Sequence, residues 1–98
     1  MILFSPKEFI RDIAKKVQTL RLQIGWSQQE LARRAGISFG TYQLFEQTGK
    51  ISLERLFLVS VALGREDDFK GLFAPLPIRS IEELESKPIR KRGRTNKS

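Results

Sequence analysis

An all-α fold of five helices follows from three features of the sequence. Helix-start signals recur along the chain, apolar residues fall three and four apart behind them, and no strand-like stretch of useful length intervenes. The first helix opens at Ser5-Pro6-Lys7-Glu8, with serine as N-cap, proline in the first turn and glutamate placed to close a capping box. Phe4 and Phe9 flank that box as a hydrophobic staple, and Ile10, Ile13, Val17, Leu20 and Ile24 form its apolar stripe up to Gly25. The second helix repeats the pattern: Ser27 and Glu30 predict a capping box, Trp26 and Leu31 a staple, and Gly36 a sharp stop. Ser38 caps the third helix, which runs to about Gln47 and closes at Gly49, with Ile37 and Tyr42 as its staple. The fourth starts at Ser52 and carries Leu53, Leu56, Phe57, Ser60 and Val61 towards Gly64. The stretch Asp67–Phe73 predicts a short fifth helix, with acids in the first turn where the helix dipole favours them. Ala74-Pro75-Leu76-Pro77 breaks the pattern. Ser80-Ile81-Glu82-Glu83 is a further capping box, with room for a short sixth helix before Pro88.

At 98 residues the chain has room for one modest core, and 40% hydrophobic content is enough to build it. We divide it into a domain over 1–74, a short extension over 75–86 and a basic tail over 87–98 too poor in apolar residues to fold. There is no cysteine and no histidine, so disulfides, thiolate chemistry and His/Cys metal sites are excluded, and no cofactor is expected. Acids occur as solvated runs such as Glu66-Asp67-Asp68, and nothing resembles a nucleophile paired with a base, so an enzyme is not expected. No apolar run is long enough to span a membrane, and Ile2-Leu3-Phe4 is too short for a signal-peptide core, which predicts a cytoplasmic protein.

The net charge of +7 is unevenly distributed. Residues 1–65 carry ten Lys/Arg against five Asp/Glu, residues 66–86 two against six, and residues 87–98 six against none. A basic body suits a polyanionic partner. The tail admits three readings: an arm along DNA, a dock for an acidic partner, or a solvated end.

Two short helices, Ser27–Ala35 and Ser38–Gln47, joined by Gly36-Ile37, are the geometry that lays a second helix in the major groove while the first braces on the backbone. The run Arg21-Leu22-Gln23-Ile24-Gly25-Trp26-Ser27-Gln28-Gln29-Glu30-Leu31-Ala32, followed by Gly36-Ile37-Ser38, Thr41, Glu46 and Gly49, resembles the phage-repressor (Cro/C1, XRE) class of helix-turn-helix proteins over about Val17 to Gly64. The fold this implies is a five-helix lambda-repressor-like domain, and the function is sequence-specific binding of double-stranded operator DNA.

Ala32 must be small for the two helices to approach, while Leu31, Ile37, Tyr42 and Phe45 are expected in the core. The Tyr42 hydroxyl is left either at a wet edge of that core or on a phosphate. The resemblance implies a structural ion pair between Arg21 and Glu46. Gln28 stands at the first position of the bracing helix, where free N–H groups favour an anion, and the resemblance places its side chain on the DNA backbone. By the same resemblance the base-reading positions are Phe39, Gly40, Gln43 and Leu44, with Ser38 and Thr41 available to backbone or base edges. Gln43 alone of the four offers a full amide to adenine, and Phe39 offers only apolar contact, for instance to a thymine methyl. The reading helix lacks Lys and Arg, so non-specific attraction must come from Lys15, Arg33, Lys50, Arg55 or the tail, and part of the specificity from DNA shape.

One module buries too little DNA surface for tight binding, which predicts a homodimer on an inverted repeat. Leu72, Phe73, Leu76 and Ile78 either form the dimer surface, together with helix five, or complete the core. The opening Leu3-Phe4-Ser5-Pro6 ahead of Gly25–Ala32 is similar to HipB-type antitoxins, although the first helix is about one turn longer. That resemblance implies a repressor of its own toxin operon, with a HipA-type kinase toxin or an accessory small protein as partner. The alternatives are a phage or general XRE-class regulator without a toxin, and a protein-interaction module that has lost DNA binding and uses Phe39, Gly40 and Leu44.

Overall fold

The computed structural model describes residues 5–77. The Phe4 half of the first staple, Ile78, the Ser80–Glu83 cap and the 87–98 tail lie outside the described residues. Five helices follow in order: α1 (Pro6–Ile24), α2 (Gln28–Ala35), α3 (Phe39–Thr48), α4 (Leu53–Ala62) and α5 (Asp67–Lys70). No strand occurs among the described residues.

The starts of α1 to α4 share one device. The hydroxyls of Ser5, Ser27, Ser38 and Ser52 each accept the backbone N–H three residues on, satisfying a donor that the helix itself leaves free. Only Ser5 completes a full capping box, with Glu8 accepting from the Ser5 N–H at 3.0 Å. The box expected at Ser27 is half-formed: Glu30 spends its carboxylate on the guanidinium groups of Arg33 and Arg34, which lie within reach one turn further along α2.

The core gathers Ala14 and Val17 of α1, Leu31, Ala32 and Ala35 of α2, Tyr42 and Phe45 of α3, and Val59 of α4. Trp26, Ile37, Ile51, Leu56 and Leu63 pack around it half-buried. Tyr42, Phe45, Leu31 and Val59 are its largest fully buried side chains. Each contributes roughly 1.5–3 kcal/mol of burial. α1 rests on α3, while α2 is held between α3 and α4, so the α2–α3 pair is gripped from both sides.

Three elements depart from the sequence reading. In α1 the inward positions are Ala14, Val17 and Arg21, and Ile24 is 45% exposed. The last turn directs a guanidinium rather than an aliphatic chain inwards. In α4 the buried residues are Val59 and Ser60, with Leu56 and Leu63 half-buried, and the expected Leu53, Phe57 and Val61 face outwards. That helix carries two apolar stripes, and periodicity alone does not tell which one meets α2. Helix α5 ends at Lys70, three residues short of Phe73, because Gly71 and then a left-handed Phe73 (φ 52°) turn the chain away. No described helix is long and apolar enough to cross a membrane.

The glycines that end α2 and α3 both hold positive φ, 75° at Gly36 and 84° at Gly49. Only Gly49 is also crowded: a Cβ there would lie 2.6 Å from the Ile10 carbonyl carbon and 2.7 Å from its oxygen. Its missing side chain lets the end of α3 sit against the backbone of α1. Gly36→Ala is therefore expected to cost only the left-handed strain, about 1–2 kcal/mol in urea unfolding. Gly49→Ala should cost about 3 kcal/mol or more, because backbone must also move. Equal losses at the two positions would rule out the Ile10 contact as the reason for Gly49.

Candidate nucleic-acid interface

The orientation of α3 is fixed by one carboxylate. Glu46 Oε2 accepts from Arg21 Nε at 2.8 Å and from the Tyr42 hydroxyl, while Oε1 accepts from Arg21 Nη2 at 3.2 Å and from Gln28 Nε2 at 2.8 Å. Arg21 Nη1 donates to the Trp26 carbonyl at 2.8 Å, extending the network into the α1–α2 turn. The Arg21 and Glu46 side chains are 8% and 4% exposed, so this fork-shaped pair is withdrawn from water. A buried pair of this kind is tolerable when its remaining lone pairs are satisfied, and here four donor groups converge on two oxygens.

The protonation states follow from this packing. Burial pushes the Glu46 carboxyl upwards, but hydrogen bonds from Arg21, Tyr42 and Gln28 outweigh it, and the carboxyl titrates below its ordinary range. Burial, reinforced by the adjacent Glu46 carboxylate, raises the Tyr42 phenol. The bond to Glu46 outweighs burial at Arg21 and raises its guanidinium further. The Tyr42 hydroxyl is spent on Glu46, which replaces both destinations its ring position left open.

Gln28 is the first residue of α2, and one Nε2 proton is committed to Glu46. Among the described residues its Nε2 donates to no second acceptor. The Gln28–Glu46 bond is not legible from spacing, since the two residues are 18 apart on different helices.

On α3 the inward face is Tyr42, Phe45 and the Glu46 carboxylate. The outward face carries Phe39, 39% exposed, Gly40, and Leu44, 50% exposed, with Gln43 half-buried beside them. Ser38 and Thr41 lie at the start of the helix with their hydroxyls bonded to each other at 2.7 Å. Gln47 is also exposed, one turn beyond Gln43, and adds a second amide to this surface. The four-residue spacing of Gln43 and Gln47 is the signal that would have found it.

No cation lies on α3. Lys15, Lys50 and Arg55 are exposed and pair with no carboxylate among the described residues. Arg33 is less free, being held by Glu30, and Arg34 is bonded to Glu30 at 2.6 Å and stacked 4.3 Å above the Trp26 ring. Helix α3, without cations, thus stands among basic residues contributed by other elements.

Residues 17–69, more than half of the chain, match a family described as helix-turn-helix, the XRE-type DNA-binding domain of transcription regulators. No curated protein and no solved structure matches the chain.

Because the folded-state acidity of Glu46 is increased, its contribution to stability is complete above the ordinary carboxyl range and is lost as pH falls through the lower folded value. Glu46→Gln strands the Arg21 charge and is expected to cost about 3 kcal/mol at pH 7. Urea unfolding at pH 7 and pH 3 should show the difference between wild type and Glu46→Gln shrinking at the acid end. A difference that stays constant across that range would exclude a charged Glu46 as the source of the stability.

Proposed function

The chain belongs to the helix-turn-helix family of the XRE class, and on that footing we propose that it is a sequence-specific transcriptional repressor acting as a dimer on an inverted repeat. The observation that supports this most directly is the clamp at Glu46, which holds α3 rigidly while its outer face stays clear. In this reading α3 enters the major groove, with Gln43 pairing a base edge, Phe39 and Leu44 meeting apolar groups such as thymine methyls, and Gly40 allowing close approach. Gln47 extends the same surface. Ser38 and Thr41 lie at the groove edge, and Gln28 donates its second amide proton to a phosphate. Lys50, with Lys15 and Arg55, supplies attraction that is independent of sequence.

Within the family, the opening residues and the Gly25–Ala32 run favour a HipB-type antitoxin acting in the cytoplasm. It would repress its own operon with a HipA-type kinase toxin, or an accessory small protein, as partner. A kinase-like reading frame adjoining the gene is the observation this identification requires. A phage integrase or lysis cassette there would favour a regulator without a toxin. One feature supports a different reading: the exposed Phe39 and Leu44 also suit a protein-binding surface.

Titration against the chain's own upstream DNA at several salt concentrations separates these. A repressor should bind that DNA more tightly than unrelated duplex, with affinity falling as salt rises. Gln43→Ala should relax preference at one base pair by about 1–3 kcal/mol, whereas Gln28→Ala should weaken all sequences alike. Equal affinity for both duplexes would leave the protein-interaction reading in its place, and identical base preferences in the two variants would reject the division of roles.

A further inference from the structure

Away from the clamp, a groove of about 360 Å³ opens between α1 and the α4–α5 segment. Phe9, Ile13 and Leu20 line one wall, and Leu53, Leu56 and Leu72 the other. Phe57 and Phe69 meet edge to face at 5.5 Å and hold α5 against α4 beside it. Next to Leu72 on the groove edge stands Phe73, which is 99% exposed and held at a φ of 52°. A bulky aromatic residue is rarely left-handed, and the ring stands in water without lining the groove. Among the described residues, one chain thus carries an apolar slot that no side chain fills and, beside it, an apolar ring that no side chain covers.

We propose that these are the two halves of a self-association contact, in which Phe73 of each copy enters the α1/α4–α5 groove of the other. This deepens, and rests on, the reading of the chain as a dimer. A ring adjacent to the groove edge is what a two-fold axis near Leu72 would exchange, since such an axis presents one patch to itself. Charge selects a second copy over a strongly charged partner. The whole chain carries +7, so copies repel over most of their surface, but residues 53–77 hold three Lys/Arg against four Asp/Glu. The rim carries both signs, with Lys16, Arg65 and Asp68 among the groove residues and Arg65 paired to Asp68 at 3.2 Å. A balanced rim suits an identical surface, and a rim of one sign would suit an oppositely charged protein.

Sedimentation of the full chain without DNA tests this, with Phe73→Ser as the ring-less variant and Leu53→Glu as the groove-blocked one. Both sites are exposed, and a carboxylate at the first position of α4 agrees with the helix dipole, so thermal melts should match wild type. Leu53→Gln replaces Leu53→Glu if they do not. Wild type is expected to dimerise, and each variant alone to need about tenfold more protein or beyond to do so. An equimolar mixture should regain association, because the ring of the groove-blocked copy meets the intact groove of the ring-less one. The proposal is overturned by a monomeric wild type at about millimolar protein, by a Phe73→Ser chain that dimerises like wild type, or by a mixture no better than its components. The second result would return the groove to the chain's own Ile2-Leu3-Phe4 or to another partner. Base preference of monomeric Phe73→Ser on a single half-site is a separate readout. Its loss counts against DNA reading, not against the contact.

Discussion

The placing of α3 against the rest of this protein depends on a carboxylate kept charged away from water. Glu46 is reached by Arg21 from α1, Gln28 from α2 and Tyr42 from α3 itself. Three helices therefore share one negative charge, and none can rotate without leaving a buried donor or acceptor unmade, an outcome costlier than the net gain of an ordinary hydrogen bond. An apolar contact at the same place would hold the helices together without fixing their angle. Direction is what the polar network adds, and a helix in the role proposed for α3 needs direction more than it needs extra stability.

The same network links scaffold to surface. Gln28 is both a donor to Glu46 and the first residue of α2, so the start of α2 is registered against α3 by a 2.8 Å bond. At the other end of α3, Gly49 lets the chain lie against the Ile10 carbonyl, where any Cβ would collide. One contact sets rotation and the other sets depth. Together they leave little freedom in how far the outer face of α3 projects.

Much of this was legible in the sequence because its signals are local. Serine caps, glycine stops and the small Ala32 act over a few residues, and helix-turn-helix spacing is a short-range pattern. What stayed hidden depends on which of two acceptable partners wins. Glu30 could close a cap or bind two arginines, and geometry within α2 favours the arginines. Leu53, Phe57 and Val61 make as good a stripe on α4 as Leu56, Val59 and Leu63, and only the position of α2 decides between them. Arg21 at an inward position displaces Ile24 for a reason found on another helix, at Glu46. The candidate site divides in the same way: positions on one face of α3 follow from its period, whereas the tie from Gln28 to Glu46 requires the tertiary fold.

The composition of α3 implies a division of labour. On the proposed reading, a helix without Lys or Arg gains little from phosphate attraction, so its contacts would weigh almost entirely on which bases are present. Exposed cations elsewhere, Lys15, Lys50 and Arg55, would on the same proposal act at longer range and without regard to sequence. Salt screens the second contribution strongly and the first weakly. Affinity and selectivity in such a design would respond to different variables, because the charges proposed to gather DNA are not the groups proposed to read it. In the proposed contact the apolar Phe39 and Leu44 would strengthen this separation: wrong edges would be penalised by desolvating base polar groups against a ring or an aliphatic chain, with no long-range charge to hold the mismatched complex together.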